Sequence, residues 1–509
     1  MALREYLGSA SRVAVLAAAS IVASETKVLA ADLGGNCCAD LEERVAELEA
    51  TTARKGNRKV SLQVYGVVSE AVIWWNDGAE SNAYVLENNR IKNKIGFIGE
   101  AKIDSDWSAG FQFELQINAY RSSSASQLSL GASENIQIAT FNTASANLRF
   151  ANWYLDSKNH GRLTVGRSLD AAANIALINL ARPDGFSSMD GPAYLIQSYR
   201  LRRSGTTGNA GLSSMTWATA AYIRHRSSLA AFDYANTFNG VKYTSPFFLG
   251  QTRSSGFRLD AGWGMDDMWS VGLRYAETLG AFRFAAGVGY SDWRNADRGM
   301  CSLGSVGNDP VAGANPIVGG GPGNDAGSNT ACTAIQVGAS LMHTPTGLYI
   351  TAGGGQSDDH KSQAAFQQRS GLLGLANRPG NDPKSGSWYV QAGWEASLST
   401  LGKTTFWGQY VAHNVGLGVF GSLVQTLAAN DTINSLGETA LLGGSNAGAW
   451  SLGITQNIDA ADMALYLGYQ RASTEISLIS QSPRATRTRA MSNPIDDFQA
   501  LYTGATIRF

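Results

Sequence analysis

Charge is the first scarcity in this chain of 509 residues. Asp, Glu, Lys and Arg together make up 16% of it, against about 25% in an ordinary soluble protein. The charges that exist are evenly divided, 40 basic against 41 acidic, for a net charge of −1. A nucleic-acid-binding chain usually carries a basic excess, so no nucleic acid is expected as a partner. Proline is scarce at 11 residues, which excludes a proline-rich disordered chain. Four cysteines and five histidines leave little material for thiol or metal chemistry, and no cofactor is expected. No HExxH, GxSxG, CxxC or phosphate-loop pattern stands out, so the chain does not read as an enzyme. Beyond the first thirty residues there is no run of eighteen apolar residues. That excludes membrane-spanning helices and says nothing against spanning strands.

What is abundant is glycine, 57 residues, above the usual share of about 7%. The chain opens with Arg4 and Arg12, an apolar run from Val13 to Ala23, and the small residues Ala30 and Ala31. A positive start, a short apolar stretch and a small-residue cleavage site describe a secretory signal peptide, assigned to residues 1–30. Residues 31–57 form a second segment. Within it Cys38, Leu41, Val45, Leu48 and Thr52 fall at spacings of three and four with charges between them. This is the seam of a short coiled coil. It spans under three heptads, too few to be stable alone, so the alternative is a solvated helical spacer.

From residue 58 to 509 a period of two replaces the helical one. In RIKNKIGFIGEAKID, Ile91, Ile95, Phe97, Ala101 and Ile103 share one face, and Lys92, Lys94, Glu100, Lys102 and Asp104 the other. Trp107, Phe111, Phe113, Leu115 and Ile117 alternate with Ser108, Gln112, Glu114 and Gln116. The same grammar recurs to the C-terminus. Strands of about ten residues, apolar on one face and polar on the other, are the signature of a transmembrane β-barrel. About sixteen are expected, making an all-β, antiparallel transmembrane barrel preceded by a short helix. The connections alternate in length. After even strands they are short, as at Ser105–Asp106, Lys158–Gly161 and Ser399–Gly402. After odd strands they are long: 76–89, 119–145, 168–237, 293–332, 357–386, 414–448 and 473–496, with Gly264–Asp267 the short exception. Such asymmetry separates the periplasmic from the outer side of outer-membrane barrels. It places the N-terminal segment in the periplasm.

Trp74, Trp75, Trp107, Trp153, Trp263, Trp269, Trp388, Trp394 and Tyr502 cluster toward strand ends, where rings with a polar tip suit a membrane boundary. The chain ends Tyr502-x-Gly504-x-x-Ile507-x-Phe509. Together with NCCADLEERVAELEATTARK after the signal, GLRYAETLGAFRFAAGVGY at 272–290 and the acid-rich turn Gly264–Asp267, this final strand resembles the alphaproteobacterial general-diffusion porins. The resemblance implies a homotrimer of sixteen-stranded barrels in the lipid of the bacterial outer membrane. It further implies passive diffusion of small hydrophilic solutes and ions through water-filled pores. Two other functions stay open: a substrate-specific channel, and a surface adhesion or envelope-anchoring barrel whose long loops bind.

Strand parity nominates the lumen. Lys92 and Lys94 on the second strand, Glu114 on the third, Arg162 on the fifth and Arg274 further on share the polar face. On the lipid face a charge near the midplane would cost about 2–4 kcal/mol. The connection within 168–237 is the longest and carries Asp170, Asp184 and Asp190. The resemblance implies that this loop folds inward. Its acids would then face wall cations such as Lys94 and Arg162 across a constriction, where opposed charges select ions. In an oxidising compartment Cys301 and Cys332 are expected to staple the glycine-rich loop between them.

Overall fold

The computed structural model describes residues 60–117, 120–128, 146–217, 237–264, 268–294, 331–359, 384–415, 439–480 and 495–509, with short pieces at 419–420, 423–424, 426–434, 436–437 and 488–489. All belong to one compact unit, Asn57–Phe509. The signal peptide, the coiled-coil segment and Cys301 lie outside the described residues, and so does the expected disulfide.

The wall consists of sixteen antiparallel strands. These are β1 (Ser61–Asn76), β2 in two segments (Ser81–Glu87 and Lys94–Lys102), β3 (Trp107–Ile117), β4 (Ala146–Ser157), β5 (Gly161–Leu169), β6 (Thr237–Thr244), β7 (Gly256–Gly264) and β8 (Trp269–Leu279). Then follow β9 (Phe282–Arg294), β10 (Ala331–His343), β11 (Leu348–Asp359), β12 (Lys384–Ser399), β13 (Gly402–Val415), β14 (Ala440–Ile458), β15 (Met463–Ser480) and β16 (Phe498–Arg508). Each pairs with the next, and β16 returns to β1 with Ile507 opposite Val68 and Ala505 opposite Glu70. Closure removes the sheet edge, whose unpaired amides and carbonyls would otherwise need water. The last residue completes the seam: the Gly66 amide donates to the Phe509 carbonyl at 2.8 Å and the Phe509 amide returns the bond at 3.1 Å.

Period two sorts the side chains. On β3, Phe113, Leu115 and Ile117 are exposed on the outer surface while Glu114 is buried inside. On β10, Ile335, Val337 and Leu341 face out, and Gln336 and Ser340 face in. Trp153, Trp263, Trp269, Trp388 and Trp394 also stand exposed on the outside. Trp75 and Tyr502 do not. Both are buried inside the barrel, Trp75 in a cluster with Tyr84, Tyr199 and Phe498. They occupy the inward register of strands whose inner face is covered by a loop, so an aromatic near a strand end is not here a boundary residue.

The expected loops shift in three places. The stretch 76–89 is not a long loop: the chain turns at 77–80 and pairs again as Ser81–Glu87 against β1. The strand then breaks at 88–93, where Lys92 takes a left-handed backbone (φ 67°), before resuming at Lys94. Strands β13, β14 and β15 extend further than their apolar alternation, to Val415, from Ala440 and to Ser480. Outward Asn446, Ser473 and Glu475 interrupt the pattern there, yet the backbones stay paired, as at Asn446–Glu475. Hydrophobic alternation reports the apolar surroundings of a strand, and pairing continues beyond them. The β8–β9 turn is tight, since β8 runs to Leu279 and β9 begins at Phe282.

Short turns are locked locally. Between β2 and β3 the Asp104 carboxylate accepts the amides of Asp106 (2.7 Å) and Trp107 (2.8 Å). These bonds, the Trp107 amide foremost, hold its carboxyl below the usual carboxylate range because they favour the charged form.

Candidate functional site

The connection from β5 to β6 enters the barrel and runs around its inner wall. Serine, glutamine and arginine side chains of successive strands fasten it. Ser270 on β8 accepts the Ala171 amide at 3.0 Å. Arg274 on the same strand donates to the Ala171 and Ala173 carbonyls at 3.1 and 2.6 Å. Gln336 on β10 accepts the Ala176 amide, and Ser340 the Leu180 amide. Gln391 on β12 holds Asn179 and the Ser187 carbonyl, and Gln409 on β13 the carbonyls of Phe186 and Ser188. Apart from the side-chain bond from Asn179 to Gln391, each satisfies a loop backbone group that burial would otherwise leave unpaired, at about 1–3 kcal/mol per group.

Glycines let the loop lie flat. A Cβ on Gly338 would sit 2.1 Å from the Ile175 carbonyl oxygen, and one on Gly353 2.1 Å from that of Ala176. At Gly272 the clash would be with the Ala171 oxygen at 2.4 Å. These positions face inward on β8, β10 and β11, with Gly338 directly opposite Gly353. The strands thus form a smooth floor under residues 171–176.

Further along, the loop becomes a small core. Helix α1 (Gly191–Ile196) begins with Pro192 in its first turn, where a missing amide costs nothing. Tyr194, Leu195, Ile196, Tyr199, Leu201, Met215 and Trp217 are buried against Ala71, Ile73, Ala447, Ala449, Ala472 and Ala500 of the wall. Large loop residues meet small wall residues, and each such side chain contributes about 1.5–3 kcal/mol. Part of the inner wall is therefore apolar, contrary to the expectation of a polar lumen throughout, because protein rather than water covers it. A buried ion pair ties this core to the β1–β2 turn: Arg202 Nε lies 2.8 Å from Asp77 Oδ2, and its Nη2 3.2 Å from Glu80.

What the loop leaves open is a cavity of about 1290 Å³ between its underside and the wall. Lys94, Arg162, Asp170, Asp184, Asp190 and Arg274 line it, six of the eight charged residues nominated from sequence. They do not stand as two opposed rows. Asp184 is bound by Arg508 on β16 at 2.8 and 2.9 Å. Arg162 forks onto its neighbour Asp156 at 3.0 and 3.2 Å and stacks over Tyr154. Asp190 precedes α1, buried, and accepts from Ser188. Arg274 meets Asp260 on the adjacent strand. Asp170 is buried just past the end of β5, where its carboxyl oxygens meet only the Ala172 and Ala173 amides, at poor hydrogen-bond geometry. Burial pushes its pKa up to about 7, against the opposing pull of Lys242.

Two nominated residues sit elsewhere. Lys92, in the break of β2, escapes strand parity and is buried with its ammonium 5.2 Å from the Tyr194 ring centre. Glu114 faces inward as its parity requires, but it accepts from Tyr65 at 2.7 Å and from Arg149 and does not line the cavity. Conversely, the break in β2 delivers Arg90 to the cavity, where it donates to Ser188 Oγ (2.7 Å) and the Gly185 carbonyl (3.0 Å). Periodicity assigned Arg90 no face. Lys242, Arg258 and Asp260 also line the cavity. Asp260 could have been found by extending the parity of β7.

No family model matches the sequence, and no curated protein matches it. Among solved structures, the anion-selective porin of Comamonas acidovorans aligns over 88% of this chain and 100% of its own, at 14% identity and a TM-score of 0.48. OmpF of Salmonella typhi, in complex with daunomycin, covers 89% and 99% at 14% identity and 0.45. In-vitro folded OmpT of Vibrio cholerae, an outer-membrane protein, covers 90% and 99% at 10% identity and 0.44. At such identities and scores the architecture stands on this chain's own strand pairing.

Proposed function

We propose that this protein is an outer-membrane porin, a barrel whose water-filled cavity passes small hydrophilic solutes and ions by passive diffusion. The observation that carries the reading is a closed sixteen-stranded barrel, apolar outside, holding a charged cavity beneath an inserted loop. An outward apolar band with a polar interior suits a bilayer on one side and water on the other. The cavity's charged residues are costly to desolvate and gain their solvation from water in the lumen. The inserted loop narrows the passage, so solute size and charge are read where Lys94, Arg162, Asp170, Asp184, Asp190 and Arg274 converge. The residue pattern of the final strand supports the bacterial outer membrane as the site, and the same resemblance supports a homotrimer.

Planar-bilayer recording of the detergent-extracted protein tests this. Stable steps of conductance proportional to salt are expected. Current that saturates with one solute would favour a substrate-specific channel instead. Insertion without any conductance would sink the pore and leave the adhesion or anchoring barrel.

A further inference from the structure

We propose that the pore passes small anions in preference to cations, because the cavity holds more fixed positive charge than its acids can neutralise. The inference rests on the pore reading above. The whole chain has a net charge of −1. Among the described residues, the cavity is lined by ten basic side chains and five acidic ones, a surplus of five positive charges. Positive charge is therefore concentrated in the lumen of an otherwise balanced protein.

The acids are also the less available of the two. Asp184 is held by Arg508, Asp156 by Arg162 and Asp260 by Arg274. Asp170 and Asp190 are buried at the loop, and burial favours the neutral form of Asp170. Arg90, Arg182 and Lys94 are among the six lining bases that form no ion pair within the described residues. Arg90 donates only to neutral groups, Ser188 Oγ and the Gly185 carbonyl. Arg182 donates to the Asn179 carbonyl. Lys94 rises from β2 with no ion pair. Arg182 is presented from a left-handed backbone (φ 44°) on the inserted loop, while Lys94 stands on the wall. Uncompensated cations thus lie on both sides of the passage.

Low-dielectric walls focus such a field and raise the local concentration of counter-ions. In a pore those counter-ions are the permeating species, so anions are enriched and cations repelled. The field is screened within roughly 10 Å at 0.1 M salt and roughly 3 Å at 1 M. Preference should therefore fade as salt rises, which a purely steric filter would not do.

The test is the reversal potential of the native protein in a bilayer across a potassium chloride gradient. The expected sign is that of a chloride current, with several-fold greater permeability to chloride than to potassium at 0.1 M and less at 1 M. The double variant Lys94→Gln with Arg182→Gln should move the potential toward the cation sign. Arg471→Gln serves as the comparison, since Arg471 pairs with Asp497 on the barrel exterior and its loss removes one positive charge outside the lumen, against which each of the two single variants is also compared. A conducting protein with a cation-signed or zero potential overturns the inference and leaves the pore reading intact. So does a double variant that shifts the potential no more than Arg471→Gln. Insertion with no conductance overturns both. Step conductance in each variant reports that its barrel has folded.

Discussion

Asp170 shows how far a single residue's meaning depends on its surroundings. In the sequence it is one of three loop acids, marked only by its place after a strand. In the fold its carboxyl is buried and only weakly met by the Ala172 and Ala173 amides, with Lys242 and Arg274 as the nearby cations. Its ordinary value of 3.8 is raised to about 7 by burial. Between those values the folded protein holds a proton that the unfolded chain has released. The contribution is thus fully present below about pH 4 and is lost as pH rises through about 7. Asp170→Asn keeps the shape and removes the titration. The expected outcome is that the fall in thermal stability of the wild type from about pH 4 to about pH 8 flattens in the variant. Unchanged pH profiles in both would show the carboxyl to be solvated. Lys92 makes the opposite point. Strand parity placed it in the lumen, but a left-handed residue breaks the count, and parity carries no information across a break.

At the scale of elements, the inserted loop and the strands beneath it are one device. Gly272, Gly338 and Gly353 leave the floor flat, and Ser270, Gln336, Ser340, Gln391 and Gln409 fasten the loop to it. A side chain at Gly338 cannot be absorbed, because the atom it would strike is backbone. Gly338→Val should lift residues 171–176 toward the open cavity and lower single-channel conductance. Gly408→Ala, where an added carbon meets nothing nearer than 3.9 Å, should leave it unchanged. Equal conductance in both would mean that the loop does not bound the passage. The glycines were visible in the sequence as an excess. Which backbone came close was not visible, because the loop and its floor are separated by 99 to 223 residues.

For the whole molecule, the wall pairing and the outward apolar face lead to an assembly prediction. Native mass measurement of detergent-extracted protein should give three copies, and its circular dichroism should be dominated by β-structure. Deleting residues 37–55 should weaken the trimer without unfolding each barrel, since closure of β16 on β1 does not involve that segment. A native mass of one copy would refute the trimer, and a largely helical spectrum would refute the barrel in solution.

The sequence alone determined the barrel: period-two alternation and alternating loop lengths are local properties, and a strand's burial on one face is written every second residue. It also put Lys94, Glu114, Arg162 and Arg274 on the inward parity, because a charge on the lipid face near the midplane costs about 2–4 kcal/mol. Only the tertiary structure decided what those charges do. Pairing of Asp184 with Arg508 joins residues 324 positions apart, and the burial of Trp75 and Tyr502 depends on a loop that covers them. Contacts of that range depend on where a long connection comes to rest, and no periodicity in the connection itself encodes that. The balance of free and neutralised charge in the cavity, and with it the expected preference among ions, therefore emerges only when the loop is folded against the wall.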